Sequence, residues 1–368
     1  VADWTYTLHE ARTGNLLGAI DGVSSFSFDR VANDVSTGSA SIVLEPGNLW
    51  GPLLTRTHGS ILVKARGGRV HAAGYIENDD GWRRKSRTLT VSLVDVRDQL
   101  TARLMYAADA VSYRAGEVAF TGKNYSGAVR AILIPSASGR GEGWNLPLVF
   151  PPDGSGDLER VYRYWDMVSP DRALAELSDL ADGPDLDFEP RYRDDGGIEW
   201  VVRVGGPQLS GPDFDINLDA PENAAMDWAW KANGQDQRSG SIAVGNGSEV
   251  DMLVAFANNL PGPSMVIRDM VESYKEITDA GTLLGHAYSD LWSHRAPTEQ
   301  WSLDLDADYP IAPGETLLDR LRVGARVSLG LTGDPVIPDG WHDLYCIGYS
   351  TDTTTKVTLH LQPLREPV

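Results

Sequence analysis

Gly74-Tyr75-Ile76-Glu77-Asn78-Asp79, a polar turn and then Thr88-Leu89-Thr90-Val91-Ser92-Leu93 set a plan that returns near the other end of the chain. There it reads Gly348-Tyr349-Ser350-Thr351-Asp352, a polar turn, and Val357-Thr358-Leu359-His360-Leu361. Each unit is a Gly-Tyr strand, a charged or Thr-rich turn and a strand that alternates apolar and polar residues. Each also follows an earlier strand, residues 61–65 in one case and 326–331 in the other. Gly-Tyr hairpins are common in β proteins, so coincidence is one reading. The other is a duplication in which two related barrels flank inserted material, and we adopt it.

The neighbouring sequence keeps the β character. Residues 4–9, 23–28 and 39–44 alternate, and Arg66-Gly67-Gly68-Arg69 joins 61–65 to 70–76 as a hairpin turn in which glycine supplies positive φ. About seven strands in the first hundred residues predict a small closed barrel or sandwich. Further strands are expected at 198–204, 301–306, 326–331, 344–350 and 356–361. Helices are few. Asp95 is placed as the cap of one carrying Val96, Leu100 and Leu104, and Ser126 as the cap of another ended by Pro135. Ser169-Pro170 opens a third, with a capping hydroxyl followed by proline at the first helical position. The longest is expected over 279–294, with Leu283, Leu284, Ala287, Tyr288, Leu291 and Trp292 as a broad apolar stripe. Residues 136–156, rich in Gly, Ser and Pro and including Gly139-Arg140-Gly141-Glu142-Gly143, read as a long surface loop or projecting arm.

The expected fold class is mainly β with α+β insertions: two tube-like β-barrels in one chain, separated by α/β and helical inserted domains. Residues 1–100 form the first barrel and 101–212 an α/β insertion. Residues 213–250 and 297–364 form a second, discontinuous barrel, with 251–296 as a helical insertion.

The chain has 368 residues, and its 52 acidic against 32 basic side chains leave a formal charge of −20. Tight binding to phosphate backbones needs clustered Lys and Arg, so that charge argues against it. A surface past which nucleic acid slides without sticking stays open. No apolar stretch approaches the roughly 18 residues of a membrane helix, and no signal peptide is visible at the start. A single cysteine, Cys346, excludes an intrachain disulfide framework and a Cys-rich zinc site, and reads as a small buried strand residue.

Catalytic motifs are not evident. The seven histidines show no His-Glu-x-x-His spacing, and there is neither a phosphate-binding Gly-x-x-x-x-Gly-Lys-Ser/Thr loop nor a Gly-x-Ser-x-Gly elbow. Two acidic runs stand out. Asp304-x-Asp306-x-Asp308 and Asp213-x-Asp215-x-Asn217-x-Asp219 have period two, which places each set on one face of a strand. Alternate acids also open calcium loops, but the glycine such a loop requires is replaced by Tyr309 and Ala220. No metal and no cofactor is therefore expected. A glycosidase pair of carboxylates is a further reading. The plainest is a half-buried strand with a solvated acidic face, and acids of this kind along a channel would repel a polyanion inside it. Among eleven tryptophans, Trp144 and Trp165 are candidates for stacking on sugars; core and interface positions are the commoner use of the residue.

Taken in order, these features resemble the baseplate hub proteins of tailed bacteriophages, the minor tail proteins of long-tailed actinobacterial phages. The stretch from 283–292 through Trp301-Ser302-Leu303, Leu321-Arg322-Val323-Gly324-Ala325-Arg326-Val327, Ile337-Pro338-Asp339-Gly340 and Ile347-Gly348-Tyr349-Ser350 to 357–361 carries most of the resemblance. Ser39-Ala40-Ser41-Ile42-Val43-Leu44 and the Gly74-Tyr75-Ile76 hairpin carry the rest. Together they cover about half of the chain, and none is a catalytic motif. The resemblance implies a non-enzymatic homotrimer at the virion tail tip, assembled in the host cytoplasm. Three copies of two barrels would present six similar units, fitting a threefold hub to a sixfold tail tube. The implied partners are the tail tube or distal tail ring, other tail-tip proteins and the tape-measure protein. DNA would pass through the channel without specific binding. Some hubs carry a cell-wall-degrading domain after the last barrel, and the end at Leu364-Arg365-Glu366-Pro367-Val368 is read as leaving no room for one. Asp304, Asp306, Asp308, Asp213, Asp215 and Asp219 are the candidate lumen-facing acids, by alternation and charge rather than by the resemblance. Two alternatives stay open: a carbohydrate-binding tail module using Trp144 and Trp165, and a cell-wall hydrolase using paired aspartates.

Overall fold

A computed structural model describes residues 4–105, 114, 116–139, 143–180, 182–258, 266–275 and 277–364. Residues 140–142 of the Gly-rich stretch and the last four residues, read above as the end of the chain, lie outside the described ones. The first strands are β1 (Thr5–Glu10), β2 (Leu16–Ala19), β3 (Val23–Val31) and β4 (Thr37–Val43), then a helical turn α1 (Gly51–Leu54), β5 (Ser60–Arg66), β6 (Arg69–Arg83) and β7 (Thr88–Val94). After them come α2 (Asp98–Thr101), β8 (Glu117–Lys123), α3 (Tyr125–Ala137), β9 (Leu148–Val149), β10 (Leu158–Arg163), α4 (Pro170–Ser178), β11 (Leu186–Tyr192) and β12 (Ile198–Val204). The third stretch holds β13 (Asp213–Asn217), β14 (Ala225–Asn233), β15 (Gly240–Val244), β16 (Val254–Asn258), β17 (Asp269–Ser273) and α5 (Ala280–His294). The last holds β18 (Thr298–Asp306), β19 (Pro310–Ala312), β20 (Glu315–Thr316), α6 (Leu317–Arg320), β21 (Arg326–Leu331), β22 (Gly340–Asp352) and β23 (Lys356–Pro363). The chain is mainly β, as expected, and among the described residues no helix is long and apolar enough to cross a membrane.

Two compact units divide the chain: Val1–Trp228 with Ser302–Val368, and Ala229–Trp301. In the larger unit both Gly-Tyr hairpins form. β5, β6 and β7 make one antiparallel meander; β21, β22 and β23 make the other. The Arg66–Arg69 turn is as expected, with Gly67 and Gly68 at φ 57° and 81°, the pair of positive values that a two-residue hairpin favours. The meanders are parts of one sheet. Its order is β18-β23-β22-β3-β4-β7-β6-β5-β1-β2, with β21 on β22 and β13 on β21. The join is antiparallel pairing of β22 with β3, from Gly348↔Val31 to Asp352↔Ser27. Gly348 is needed there, because a Cβ would stand 2.3 Å from the Arg30 carbonyl oxygen. The order is an open path, with no closed ring of strands among the described residues.

The two motif tyrosines are both buried. Tyr75 stacks on Trp200 with centroids 5.5 Å apart, and its hydroxyl donates to the Ala11 carbonyl. Tyr349 receives a hydrogen bond from Arg30. Ile61, Val63 and Tyr75 thus share one core with Val129, Leu133, Leu174 and Trp200 of the inserted elements.

The helices correct several expectations. Ser169 caps α4 as the sequence indicated, accepting the Arg172 N–H, and α5 starts where expected, with Asp279 accepting the Thr282 N–H as its cap. For α3 the cap is Asn124 rather than Ser126, and Pro135 lies inside the helix instead of ending it. Asp95 does not cap a long helix. Its carboxylate takes the Ser36 and Arg97 N–H groups in a buried turn, and α2 is a single turn that stops before Leu104. The stripe of α5 is only partly buried: Leu283, Ala287 and Leu291 are covered, whereas Leu284, Tyr288 and Trp292 are exposed. Nor do the described residues of 136–156 form a projecting arm. β9 adds in parallel to β12, and Leu146, Leu148 and Phe150 pack on the core; the composition signalled turns but not the apolar residues that pin them.

Candidate functional site

β18 shows the expected alternation: Trp301, Leu303 and Leu305 are buried, and the residues between them reach the opposite face. Asp304 accepts a hydrogen bond from the Thr358 hydroxyl (2.6 Å) and pairs with Lys356 (2.5 Å). Burial alone would raise its carboxyl, but the bonds from Lys356 and Thr358 outweigh burial and hold it below the usual range. Asp306 ends the strand and accepts the Asp308 N–H. Asp308 lies beyond the strand end, in a turn, and pairs with Arg66. The run of three is therefore two strand acids and one turn acid.

β13 gives the same outcome. Asp213, Asp215 and Asn217 are exposed on one face with Ile216 buried behind them, while Asp219 has left the strand and accepts the Thr332 hydroxyl (2.8 Å). In register, Asp215 stands beside Ser328 of β21, whose hydroxyl donates to Asp343 of β22 (2.6 Å). Counted through the bulge at Ile347, Asp343 has the same pleat side as Ser350. Both acidic runs thus belong to one side of one sheet.

That side carries a feature the acid runs do not reveal. From β18 inward it carries Asp304, Thr358, Ser350, then Asp29 and Ser27 together on β3, then Ser39 and Ser92, with each strand in register with or bonded to the next and the Ser92 hydroxyl buried. Ser25, Ser41 and Thr90 form a parallel row. Hydroxyl contacts tie the rows laterally, Ser27 to Ser39 (3.1 Å) and Ser41 to Thr90 (3.0 Å). The opposite side holds Phe26, Phe28, Ala40, Val91, Leu359 and Leu303, all buried. The signal was present as Ser25-x-Ser27, Ser39-x-Ser41 and Thr88-x-Thr90-x-Ser92, but it appears in the sequence only as the polar half of amphipathic strands. The result is a face of short hydroxyl side chains edged by carboxylates. Of its basic residues, Lys356 pairs with Asp304, Arg326 stands in register beside Asp213, and the His360 ring lies 2.8 Å from Asp29.

A buried ionic network fixes the end of this sheet to the inserted β11–β12 hairpin. Asp187 receives Arg30 (2.9 Å) and Arg203 (3.0 Å), and Glu189 meets Arg322 (3.1 Å). Tyr345 donates to Asp185 (2.8 Å) while accepting the Leu209 N–H. Arg30 and Asp187 are almost completely buried, so each stabilises the other's charge where water cannot.

The remaining candidates fall elsewhere. Trp144 is half-buried, its indole N–H donating to the Pro135 carbonyl and its ring lying under Arg103. Trp165 is exposed, with Arg163 4.9 Å from its ring centroid. A hydrolytic acid needs a raised carboxyl, whereas Asp304 is held down. Among the described residues the strongly raised carboxyl is Asp95, pushed to about 6 by burial and enclosed in its turn. Among the described residues no group of three His, Cys, Asp or Glu side chains is placed to hold a metal ion.

No family profile and no curated protein matches the chain. Solved structures do. The 43 kDa tail protein of prophage MuSo2 from Shewanella oneidensis aligns over 98% of both chains, with a TM-score of 0.62 at 10% identity. The chain has a phage tail-protein fold. A tail protein from Neisseria meningitidis MC58 aligns over 98% of this chain and 96% of its own, with a TM-score of 0.55 at 13% identity. The prophage tail protein gp18 of Listeria monocytogenes EGD-e covers 97% and 94%, with a TM-score of 0.50 at 9% identity.

Proposed function

We propose that this chain is a non-enzymatic structural hub of a phage tail tip. Three copies close into a ring in which strand groups from the two ends of each chain, 1–100 and 213–250 with 297–364 but without β15, which pairs with β16 and β17 instead, complete two tube-like barrels. The α/β insertion 101–212 lies between the two groups in sequence, and 251–296, expected to be helical but carrying β16 and β17 as well as α5, interrupts the second. A threefold ring with six similar units then seats on a sixfold tail tube or distal tail ring, below the tape-measure protein. The observation that carries this reading is likeness to a tail protein over 98% of both chains.

The polar face is assigned to the channel wall, with Asp304, Asp306, Asp213 and Asp215 as its acids. Asp308 and Asp219 stand at the ends of the same runs. Hydroxyls form no lasting ion pair with phosphate, and carboxylates repel it, so DNA passes without adhering. Localisation follows as the virion tail tip, after assembly in the host cytoplasm.

Mass photometry of the purified chain and cryo-EM of tails from the source phage test the proposal. The expected species has three times the 40.0 kDa chain mass, and the expected density is a threefold ring at the tip with this face toward the axis. A chain that stays single and is absent from particles would sink it. Exposure of Trp165 favours a second, compatible role in touching host cell-wall glycan. Binding to those glycans that is lost in Trp165→Ala would support that role.

A further inference from the structure

The sheet of the smaller unit turns its larger apolar side chains away from its helix. Its sheet has the order β16-β15-β17, and α5 covers one face. That covered face is built from small residues, with Ala243, Ala255 and Ala257 against Leu283, Ala287 and Leu291. In register, the other face carries Val244 beside Val254, and Ile242 between Phe256 and Val271. Phe256 is 65% exposed and Val271 62%. A second apolar patch runs along α5 at i, i+4 and i+8, where Leu284, Tyr288 and Trp292 are exposed about 100° around the helix from the buried stripe. One small unit thus presents two apolar patches on different sides, and contiguous patches of this kind mark interaction sites.

The charges at the patch ends are complementary. β17 begins at Asp269 and is followed by the exposed Lys275. α5 begins behind Asp279 and ends at Arg295, whose guanidinium lies over Trp292 at 3.2 Å. Asp269 to Lys275 spans about 20 Å of extended chain, and Asp279 to Arg295 about 24 Å of helix. Laid antiparallel, the two put Arg295 against Asp269 and Asp279 against Lys275.

We infer that the α5 flank of one copy docks on the open β16-β15-β17 face of the next, so that the smaller unit is a head-to-tail contact between copies of this chain. Two unlike patches that fit each other make a heterologous interface, and such interfaces generate rings when the rotation closes. The contact rests on the ring reading only in requiring several copies; its geometry comes from the smaller unit alone.

Cross-linking tests it cleanly because the native Cys346 is fully buried. Phe256→Cys and Trp292→Cys, both at exposed positions, are made singly and together in the full chain and treated with a short bis-maleimide. Circular dichroism confirms that each folds. The double variant is expected to give a ladder ending in a closed multimer. Each single variant is expected to stay unlinked, and an equimolar mixture of the two singles to give linked pairs. Singles that link to themselves, or a double variant that stays unlinked, would overturn the docking even if the native chain is trimeric. A ladder closing at a number other than three would support the docking and remove the threefold reading. In parallel, Arg295→Glu and Asp269→Lys should each weaken assembly about tenfold, and their combination in one chain should restore it. Failure of that rescue also counts against the docking.

Discussion

Lys64 has no exposed surface, and its ammonium lies 3.6 Å from the Trp4 ring centroid while donating to the Asp352 carbonyl. Burial lowers its pKa to about 7, with the Asp352 carboxylate opposing the shift. Below about pH 7 the folded and unfolded chains both hold the proton, and the fold bears the full penalty of burying a cation. Between about 7 and the ordinary 10.5 the folded chain has released it and the unfolded chain has not, so this contribution to stability rises with pH. Lys64→Met should therefore be more stable than the parent at pH 6–7 by about a few kcal/mol, and the gap should close by pH 10. Denaturation midpoints at both ends of that window decide it; an equal gap at both would rule the account out. Asp187 gives the opposite case. Asp187→Ala would leave Arg30 and Arg203 short of a partner in a buried site, at a cost of about 3–5 kcal/mol. A urea midpoint indistinguishable from the parent would show that water reaches that network.

At the scale of elements, β22 bears the most: its first half pairs with β21, its second with β3, and β23 lies along most of its length. Gly348→Ala should push β22 from β3 and cost about 1–3 kcal/mol, read as a fall in melting temperature with the rest of the sheet retained at lower temperature. Both meanders were legible because alternation is a local property, and so were the Ser169 cap and the start of α5 near Asp279. The choice of Asn124 over Ser126 was not, because both residues satisfy the local cap rule and packing decides between them. The broad stripe of α5 was read correctly as apolar but not as divided, since a sequence records hydrophobicity and not what covers it. The hydroxyl face escaped notice for a related reason. Its serines and threonines come from β3, β4, β7, β22 and β23, and only strand order makes them neighbours.

For the whole molecule the net charge of −20 is distributed with consequence. Asp215 is exposed on β13, and Asp306 accepts only a backbone N–H among its described hydrogen bonds. Reversing both, Asp215→Lys with Asp306→Lys, should turn a repelling wall into an adhesive one. Phage particles carrying the pair are expected to release DNA more slowly at low salt and to recover at high salt, where phosphate contacts are screened. Unchanged release kinetics would place this face away from the channel.

The seam between β3 and β22 also governs how the chain reaches its shape. Val31 must wait for Gly348, a delay of roughly half a minute at about 5–20 residues per second of ribosomal synthesis. Throughout that interval the β3 flank offers unpaired amide and carbonyl groups to any passing strand. Pairings so remote in sequence are also slow to find one another. Newborn copies crowded on one messenger are thus at their most vulnerable before the seam is sewn, and soluble yield should depend more on chaperone supply and growth temperature than on the stability of the finished fold.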